Sequence, residues 1–391
     1  MDVRRLKTPC YVFDEKELKC RVGRIKDIIS GWGGKTCFAI KANPFLIPYL
    51  LPVVDKFEVC SPGELEICRN HGVPGENILF SGVVKTKKDI QTALEYPADV
   101  ITLESLTHWE LLKECLEECP NVSNVKIMPR LSSGAQFGME EEQIFQIAKE
   151  QQDMENITLE GIHYFTGTQK KGNKYVKEIE KAGHVIKEIE EKYKVRNLIL
   201  EYGPGLAVPY FTGDDFESPF ALIEQMKEFI TEMKFPFRID IELGRYMAAS
   251  CGAYFTSIVD VKNADGRNYC LVDGGIHHVN YYGSNMAMRT PIIRHIQTAD
   301  EYEDREEREY MICGSLCTFA DVLARGITLH NPQIGDVLKF ENIGAYSVTE
   351  GTYLFLSRDL PVIYLKKKDG KVIEIRKTIS SYKINMGEWI E

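Results

Sequence analysis

The stretch TCFAIKANPFLIPYLLPVVDKFEVC, residues 36–60, begins and ends with a short run of apolar and β-branched side chains, at 36–40 and 57–60. Runs of this length are typical of buried strands. The apolar stretch between them is broken by Pro48 and Pro52 and is too short to cross a membrane. Six further strand-like runs follow, at 78–80, 100–103, 125–128, 159–165, 197–200 and 238–241.

Amphipathic, helix-like segments lie between these runs, for example at 86–94 and 174–194. Eight β-α repeats within roughly 210 residues match the count and length of a TIM-type barrel. The sequence therefore predicts an α/β fold with a (β/α)8 barrel at 26–248. A doubly wound open sheet is the alternative, because a strand count taken from one sequence can err by one or two.

The pattern changes after about residue 250, where strand-like runs follow one another with little helix between them. The last two, 362–365 and 371–375, flank Asp369-Gly370 and predict a hairpin. We expect a C-terminal all-β domain, a sandwich or barrel formed by 1–25 and 249–391. The strand-like segment 9–14 is expected to pair within it.

Composition excludes several classes of protein. The chain has 391 residues, and 48 Lys and Arg against 58 Asp and Glu give a formal net charge of −10, which disfavours general binding to nucleic acid or anionic membranes. A hydrophobic content of 44% is ordinary for a globular protein and excludes disorder. No apolar leader follows the first residues, and the eleven cysteines lack metal-site spacing. We expect a cytoplasmic protein with reduced thiols and no metal.

Reactive side chains follow the predicted strands, where barrel enzymes place their chemistry. Lys41 comes directly after the first run, and apolar surroundings would make its amine a nucleophile for carbonyl groups. A lysine that simply reaches solvent at a strand end is the alternative.

Two later strand ends suggest a phosphate site. The glycines of 203–205 would allow backbone N–H groups to approach a phosphate, although Gly-Pro-Gly is also an ordinary turn. Glu242 and Arg245 could hold a cationic ring nitrogen and a phosphate, or simply form a local ion pair.

The order of the motifs resembles that of the fold-type III pyridoxal-phosphate decarboxylases, the family of diaminopimelate and ornithine decarboxylases, over nearly the whole chain. The matching motifs are FAIKAN (38–43), EVCSPGEL (58–65), QFGM (136–139), GTQ (167–169), GPG (203–205), ELGR (242–245), GSLC (314–317) and GAY (344–346). The resemblance implies an alanine-racemase-like pair of domains and pyridoxal 5′-phosphate as the cofactor.

The resemblance also implies roles for single residues. Lys41 would bind the cofactor covalently, Glu242 would pair with its protonated pyridine nitrogen, and Cys317 would return a proton to the carbanion left by CO₂ loss. Cys317 is expected to come from a second subunit, so the protein would be a homodimer with shared active sites. The cofactor-binding residues implied are Lys41, Glu58, Arg130, His163, Phe165, Gly203, Gly205, Glu242, Gly244, Arg245 and Tyr346.

Three departures from the family pattern narrow the substrate. Phe165 replaces a histidine that stacks on the cofactor ring, and His163 lies two residues upstream, where it is either a cofactor contact or a core histidine. Thr318 replaces an acid that contacts the distal amino group of the substrate, so a distal ammonium would lose its charge partner. Pro204 removes one backbone donor from the usual Gly-Gly-Gly.

With these departures, the sequence resembles one branch of the family. It includes the butirosin-pathway decarboxylase, which acts on glutamate tethered to an acyl carrier protein, and siderophore decarboxylases of citrate-linked amino acids. We therefore expect α-decarboxylation of an amino acid with an acylated distal end, in secondary-metabolite or siderophore biosynthesis. Candidate substrate-binding residues are Asp273, Arg289, Thr318 and Asp321. Lysines that could dock an acidic carrier, or merely form a solvated helix start, are Lys170, Lys171, Lys174 and Lys177.

The sequence leaves other functions open. The first alternative is a decarboxylase of a free amino acid such as diaminopimelate, ornithine or lysine. A racemase of the same fold type would need a second base opposite Lys41 and gives no use for Cys317. A non-catalytic pyridoxal-phosphate-binding protein resembles the barrel alone. No nucleic-acid or membrane partner is expected.

Overall fold

The computed structural model describes residues 2–122, 124–193, 195–281, 287–298 and 307–387. The chain forms two compact units. One contains Arg21–Ala207 and Glu217–Met247, and the other contains Met1–Cys20, Val208–Phe216 and Ala248–Glu391.

The strands of the described residues are, in chain order, β1 (Cys10–Asp14), β2 (Thr36–Ala39), β3 (Lys56–Val59), β4 (Ile78–Phe80), β5 (Val100–Leu103), β6 (Val125–Pro129), β7 (Ile157–Leu159), β8 (Gly161–Phe165), β9 (Ile199–Gly203), β10 (Arg238–Leu243), β11 (Gly252–Ala264), β12 (Arg267–Val272), β13 (Ile293–Ile296), β14 (Glu307–Cys313), β15 (Val322–His330), β16 (Val337–Phe340), β17 (Val362–Lys366) and β18 (Val372–Arg376). The α-helices are α1 (Glu15–Ser30), α2 (Ile47–Leu50), α3 (Pro62–Asn70), α4 (Lys87–Glu95), α5 (Leu106–Glu118), α6 (Glu141–Glu150), α7 (Tyr175–Tyr193), α8 (Ala221–Met233), α9 (Arg245–Ala248) and α10 (Tyr382–Asn385).

Strands β2 to β10 form a parallel barrel in the order β7-β6-β5-β4-β3-β2-β10-β9-β8. Only Glu160 separates β7 from β8. Strand β7 pairs with β6 and strand β8 pairs with β9, so the two strands together occupy one of the eight strand positions of the barrel. A bridge between Arg130 and His163 joins the end of β6 to β8. The predicted eight-position barrel is therefore confirmed, and the open sheet is excluded.

Local sequence explains the helices between the barrel strands. Helix α4 begins with a reciprocal capping box between Thr86 and Asp89, and the side chain of Ser61 caps α3. Apolar side chains recur on one face of α7 and are buried, including Ile179, Val185, Ile186 and Ile189. The side-chain caps thus fix where α3 and α4 begin, and the apolar face of α7 fixes which side of that helix is buried.

The second unit contains a nine-stranded mixed sheet with the order β15-β14-β12-β11-β1-β17-β18, and β16 pairs with both β11 and β13. Strand β1 pairs antiparallel to β11 and parallel to β17, which confirms that the N-terminal segment joins the β domain. The predicted hairpin is also present as β17 and β18. A cluster of buried side chains spans these strands: Cys10, Val12, Phe255, Val337 and Val362.

The segment Val208–Phe216, which the predicted boundaries place in the barrel, belongs to the second unit. Phe211 forms a β-bridge with Pro291, and the N–H of Thr212 donates to the carbonyl of Thr290 at 2.9 Å. These hydrogen bonds to residues distant in sequence account for its position. Within the described part of the chain, no helix is both long enough and apolar enough to cross a membrane.

Candidate active site

Lys41 lies in a short 3-10 turn directly after β2, and its amine faces an acid from the next strand. Nζ donates to Oε2 of Glu58 at 2.7 Å and to Oε1 at 3.0 Å. The Glu58 side chain is 2% exposed, whereas that of Lys41 is 38% exposed. Parallel pairing of β2 with β3 produces this contact, because it aligns the ends of the two strands. Lys41 is thus an accessible amine held by a buried carboxylate.

Glu242, on β10, is a buried acid that stays ionised. His163, on β8, forms a hydrogen bond between its Nε2 and Oε2 of Glu242 at 2.9 Å. Burial raises the pKa of Glu242, but the His163 hydrogen bond and the charges of Lys41 and Arg130 outweigh this and lower the pKa to about 2. The other ring nitrogen of His163, Nδ1, is buried and has no hydrogen-bond partner among the described residues.

Arg130 follows β6 and lies between an acid and two aromatic rings. It donates to Oε1 of Glu104 at 2.7 Å, and its guanidinium lies 5.0 Å from the ring centre of Phe137 and 5.9 Å from that of Phe165. The Phe165 ring leaves no space for a side chain at position 203, where an added Cβ would lie 2.5 Å from it. Phe165 and Arg130 therefore lie in one cluster, and the backbone bridge between Arg130 and His163 adds His163 to it.

The loops after β8 and β9 are joined through their backbones. Lys170 N–H donates to the carbonyl of Gly205 at 2.9 Å, and Ala207 N–H donates to that of Lys170 at 3.1 Å. Gly205 has a φ of +58°, and a Cβ there would lie 1.8 Å from the Gly167 carbonyl oxygen. Only glycine allows this approach.

Arg245 begins α9, and Gly244 alone separates it from β10. Its Nε donates to the hydroxyl of Thr168 at 3.2 Å, so the guanidinium is tied to the loop after β8. A Cβ at Gly244 would lie 2.9 Å from that of Ala42. The barrel unit thus brings together every predicted cofactor residue except Tyr346.

The remaining predicted residues lie in the other unit. Cys317 and Thr318 are exposed on the turn between β14 and β15. Tyr346 has a φ of +68°, which is strained for a residue with a side chain, and its carbonyl accepts the N–H groups of Thr349 and Glu350 at 2.7 and 2.8 Å.

Two of the predicted substrate ligands, Asp273 and Asp321, form hydrogen bonds within their own unit. The carboxylate of Asp273 accepts from the Thr256 hydroxyl at 2.6 Å, the Ser257 N–H at 2.9 Å and the Thr8 hydroxyl at 2.7 Å. Asp321 is 3% exposed and accepts two backbone N–H groups. These hydrogen bonds connect distant parts of the chain and could not be read from the sequence, and a role for either acid toward substrate stays a prediction.

Arg289 is half-exposed. It donates to Oδ1 of Asp214 at 2.8 Å, and its guanidinium lies 4.1 Å from the ring centre of Phe211. It therefore anchors the segment Val208–Phe216, and a role toward substrate stays a prediction.

The predicted lysine cluster is only partly available. Lys170 is partly buried, donates to Glu178 at 2.6 Å and also to Thr166. Burial lowers its pKa, and the hydrogen bond to Glu178 opposes this change. Lys171, Lys174 and Lys177 are exposed. A role for this cluster in docking a carrier stays a prediction.

Three polar residues of the barrel were not predicted from the sequence: Glu104, Cys60 and Lys85. Glu104 follows β5 and Cys60 follows β3, so position after a strand could have revealed both. Cys60 accepts from Lys41 Nζ at 3.4 Å and donates to Glu58 at 2.8 Å. Lys85, which no pattern signals, is 4% exposed and donates to the Gly82 carbonyl at 2.6 Å. Burial lowers the pKa of Lys85 to about 8, although the charges of Glu104 and Glu58 oppose this.

Comparison with known proteins identifies the family. The family model for the pyridoxal-dependent decarboxylase, pyridoxal binding domain, matches residues 17–249. The chain therefore belongs to the pyridoxal-dependent decarboxylases of fold-type III. It is a carboxy-lyase that uses pyridoxal phosphate.

Individual relatives differ in their substrates. The chain is 26% identical to the L-glutamyl-(BtrI acyl-carrier protein) decarboxylase of Niallia circulans over 93% of this chain and 90% of the relative. It is also 26% identical to the diaminopimelate decarboxylase of Methanocaldococcus jannaschii over 93% and 87%. Identity to the 2-((L-alanin-3-ylcarbamoyl)methyl)-2-hydroxybutanedioate decarboxylase of Staphylococcus aureus is 25% over 84% and 87%. The crystal structure of the M. jannaschii diaminopimelate decarboxylase matches the fold with a TM-score of 0.85 at 21% identity, covering 99% of this chain and 93% of that one.

Proposed function

We propose that this decarboxylase acts on an amino acid whose distal end is acylated or otherwise conjugated. One observation carries the proposal: the exposed residues of the turn, Cys317, Thr318, Phe319 and Ala320, have no charge. Its one acid, Asp321, is buried and bonded to backbone N–H groups. A distal ammonium at this turn would lack a charge partner, at a cost of a few kcal/mol.

The names of two relatives agree with such a substrate. One acts on glutamate carried by an acyl carrier protein, and the other acts on an alanine derivative amide-linked to a hydroxybutanedioate. The relative named diaminopimelate decarboxylase is similar to the same degree and supports the alternative of a free amino acid. Should the substrate be carrier-bound, the exposed Lys171, Lys174 and Lys177 offer positive charge to an acidic partner.

The barrel residues fit pyridoxal phosphate. Glu242 is ionised within a buried site, as a partner for a protonated ring nitrogen must be. His163 Nδ1 and Arg130 Nε are buried and without hydrogen-bond partners in the described part of the chain. Arg245 and the close backbone approach at Gly205 suit a phosphate. Lys41 would hold the cofactor covalently through Nζ.

When bound, the cofactor supplies an electron-withdrawing ring that stabilises the electron pair left on the α-carbon as the bond to the carboxylate breaks and CO₂ departs. Glu242 would keep the ring nitrogen protonated, and its hydrogen bond to His163 orients the carboxylate. Glu58 holds the Lys41 amine in position. Cys317 would then deliver the proton on its Sγ to the α-carbon, which forms the new C–H bond.

The proposal is tested by CO₂ release from three substrates: a glutamyl-carrier protein, a citryl-linked diamino acid and free diaminopimelate. The wild-type protein should prefer the conjugated substrates. Thr318→Glu, which restores an acid, should raise kcat/KM for diaminopimelate relative to the conjugated substrates by about tenfold. The neutral isostere Thr318→Gln is the matched control and should leave the ratio unchanged.

Lys41→Ala provides the control for the chemistry and should lose both CO₂ release and the absorbance of covalently held cofactor. Wild-type protein that prefers free diaminopimelate would make the substrate proposal wrong while leaving the family activity intact.

A further inference from the structure

The turn that carries Cys317 is built around one buried carboxylate. Asp321 is 3% exposed. Its Oδ2 accepts the N–H of Leu316 at 2.7 Å, and its Oδ1 accepts the N–H of Ile276 at 2.8 Å. The Asp321 carbonyl also accepts the N–H of Gly314 at 3.0 Å. The residue directly before Cys317 is therefore bonded to Asp321.

This carboxylate joins two glycine turns that are far apart in sequence. Ser315 N–H donates to the carbonyl of Gly274 at 2.7 Å, beside the bond from Ile276. A Cβ at Gly314 would lie 2.3 Å from Oδ2 of Asp321 and 2.4 Å from the Cα of Gly275. A Cβ at Gly275 would lie 2.6 Å from the same oxygen. Both glycines are needed for the two turns to close on the acid.

A second contact holds the outer side of the turn. Arg358 donates to the carbonyl of Ser315 at 2.9 Å. The turn is thus fixed at 314, 315 and 316, while 317 to 320 are exposed. Burial raises the pKa of Asp321, and the two backbone N–H groups oppose the change.

We infer that Asp321 is a positioning residue for Cys317: it fixes the backbone at Leu316 and so determines where the thiol is presented. The inference rests on the proposed role of Cys317 as proton donor. Sub-ångström placement of a reacting group has large effects on rate, since a proton transfer needs a short donor–acceptor distance.

The test is a double-mutant cycle in the holoenzyme with Asp321→Asn and Cys317→Ala. Asparagine substitutes an amide NH₂ for one acceptor oxygen and places it against a backbone N–H. Asp321→Asn should lower kcat by about tenfold with a nearly constant KM and unchanged cofactor content. In the Cys317→Ala background the same change should have almost no further effect, because the group that it positions is already absent.

Asp336 provides a matched control. It is fully buried, accepts the N–H groups of Gln333 and Thr298 at 2.9 and 3.0 Å, and pairs with His295 at 2.8 Å. Asp336→Asn and Asp321→Asn should both lower the melting temperature. Its effect on kcat should be within about twofold and additive with Cys317→Ala.

A second readout needs no turnover. The rate at which iodoacetamide alkylates Cys317 in cofactor-free protein should change severalfold in Asp321→Asn and remain at the wild-type value in Asp336→Asn. Arg358→Met, which removes an exposed side chain and carries less risk to folding, should change it in the same direction. Additive kcat effects with unchanged alkylation would overturn the positioning role. Wild-type kcat in Cys317→Ala would instead overturn the proposed role of the thiol, and the positioning role with it.

Discussion

At the scale of single residues, the candidate site depends on acids that differ in their surroundings. Glu242 is ionised because His163, Lys41 and Arg130 supply positive or donating groups to it. Among the described residues Asp321 accepts backbone N–H groups alone, and burial raises its pKa against these donors and the charge of Arg358. Glu242 lies near the end of β10 and Asp321 directly precedes β15, and neither position reveals its surroundings in the sequence. Their different uses follow from partners 79 and 45 residues away along the chain.

Lys85 supplies a prediction at this scale. Its folded-state pKa is about 8, below the ordinary value of 10.5, so between these values the unfolded chain binds more protons than the folded one. Its contribution to stability is therefore complete above pH 10.5 and is lost as the pH falls through 8. We expect the unfolding free energy of the wild type to rise relative to that of Lys85→Met by about 1.4 kcal/mol per pH unit from pH 8 upward.

Urea unfolding of both cofactor-free proteins between pH 7 and 10 measures this difference. Other groups titrate equally in the two proteins and cancel. A difference that stays constant with pH would show that Lys85 is not forced toward its neutral form by burial.

At the scale of elements, the barrel closes where one predicted strand becomes two. The run 159–165 was predicted as a single strand, whereas the structure breaks it at Glu160. Glu160 N–H donates to the carbonyl of Ile127 at 3.0 Å, and Ile199 N–H donates to that of Glu160 at 3.0 Å. The break allows one position in the barrel to pair with both β6 and β9. Periodicity could not reveal it, because a single polar residue such as Glu160 is compatible with one continuous strand.

Gly161, directly after this break, gives a prediction for the element. An added Cβ would lie 1.9 Å from the carbonyl oxygen of Ile199, which is backbone and cannot move aside. Gly161→Ala should lower the free energy of unfolding by about 2–3 kcal/mol through overpacking. Gly23, within α1, has no atom within 4 Å of its added Cβ. Gly23→Ala is the matched control and should raise stability by about 0.5–1 kcal/mol.

Thermal or urea denaturation compares the two variants with the wild type. Equal effects of the two substitutions would contradict the close approach of β8 and β9 at this point.

At the scale of the whole molecule, the predicted residues divide between two compact units. The barrel carries Lys41, Glu242 and Arg245, and the other unit carries Cys317 and Tyr346. The family resemblance implies that Cys317 acts in the active site of a second subunit.

Mixing inactive variants tests that implication. If dimers form with shared sites, Lys41→Ala and Cys317→Ala subunits mixed in equal amounts after reversible dissociation should recover about a quarter of the wild-type activity, because half of the dimers contain one intact site. Lys41→Ala mixed with itself should recover none. Absence of recovery in dimers shown to exchange subunits would place Cys317 in the site of its own chain.

The sequence by itself determined the barrel, the presence of a β domain in the same chain, the family, and the strand-end residues Lys41 and Glu242. Strand order and motif order can be read from the chain. A parallel barrel gathers the carboxyl ends of its strands at one face, so residues that follow the strands lie near the site. Only the tertiary structure decided which polar groups are available for chemistry. Asp273, Asp321 and Lys170 form hydrogen bonds within the fold, and Glu104 and Lys85 are buried. Neither could be read from the sequence, because hydrogen-bond partners and burial depend on residues that are distant in sequence and adjacent only after folding.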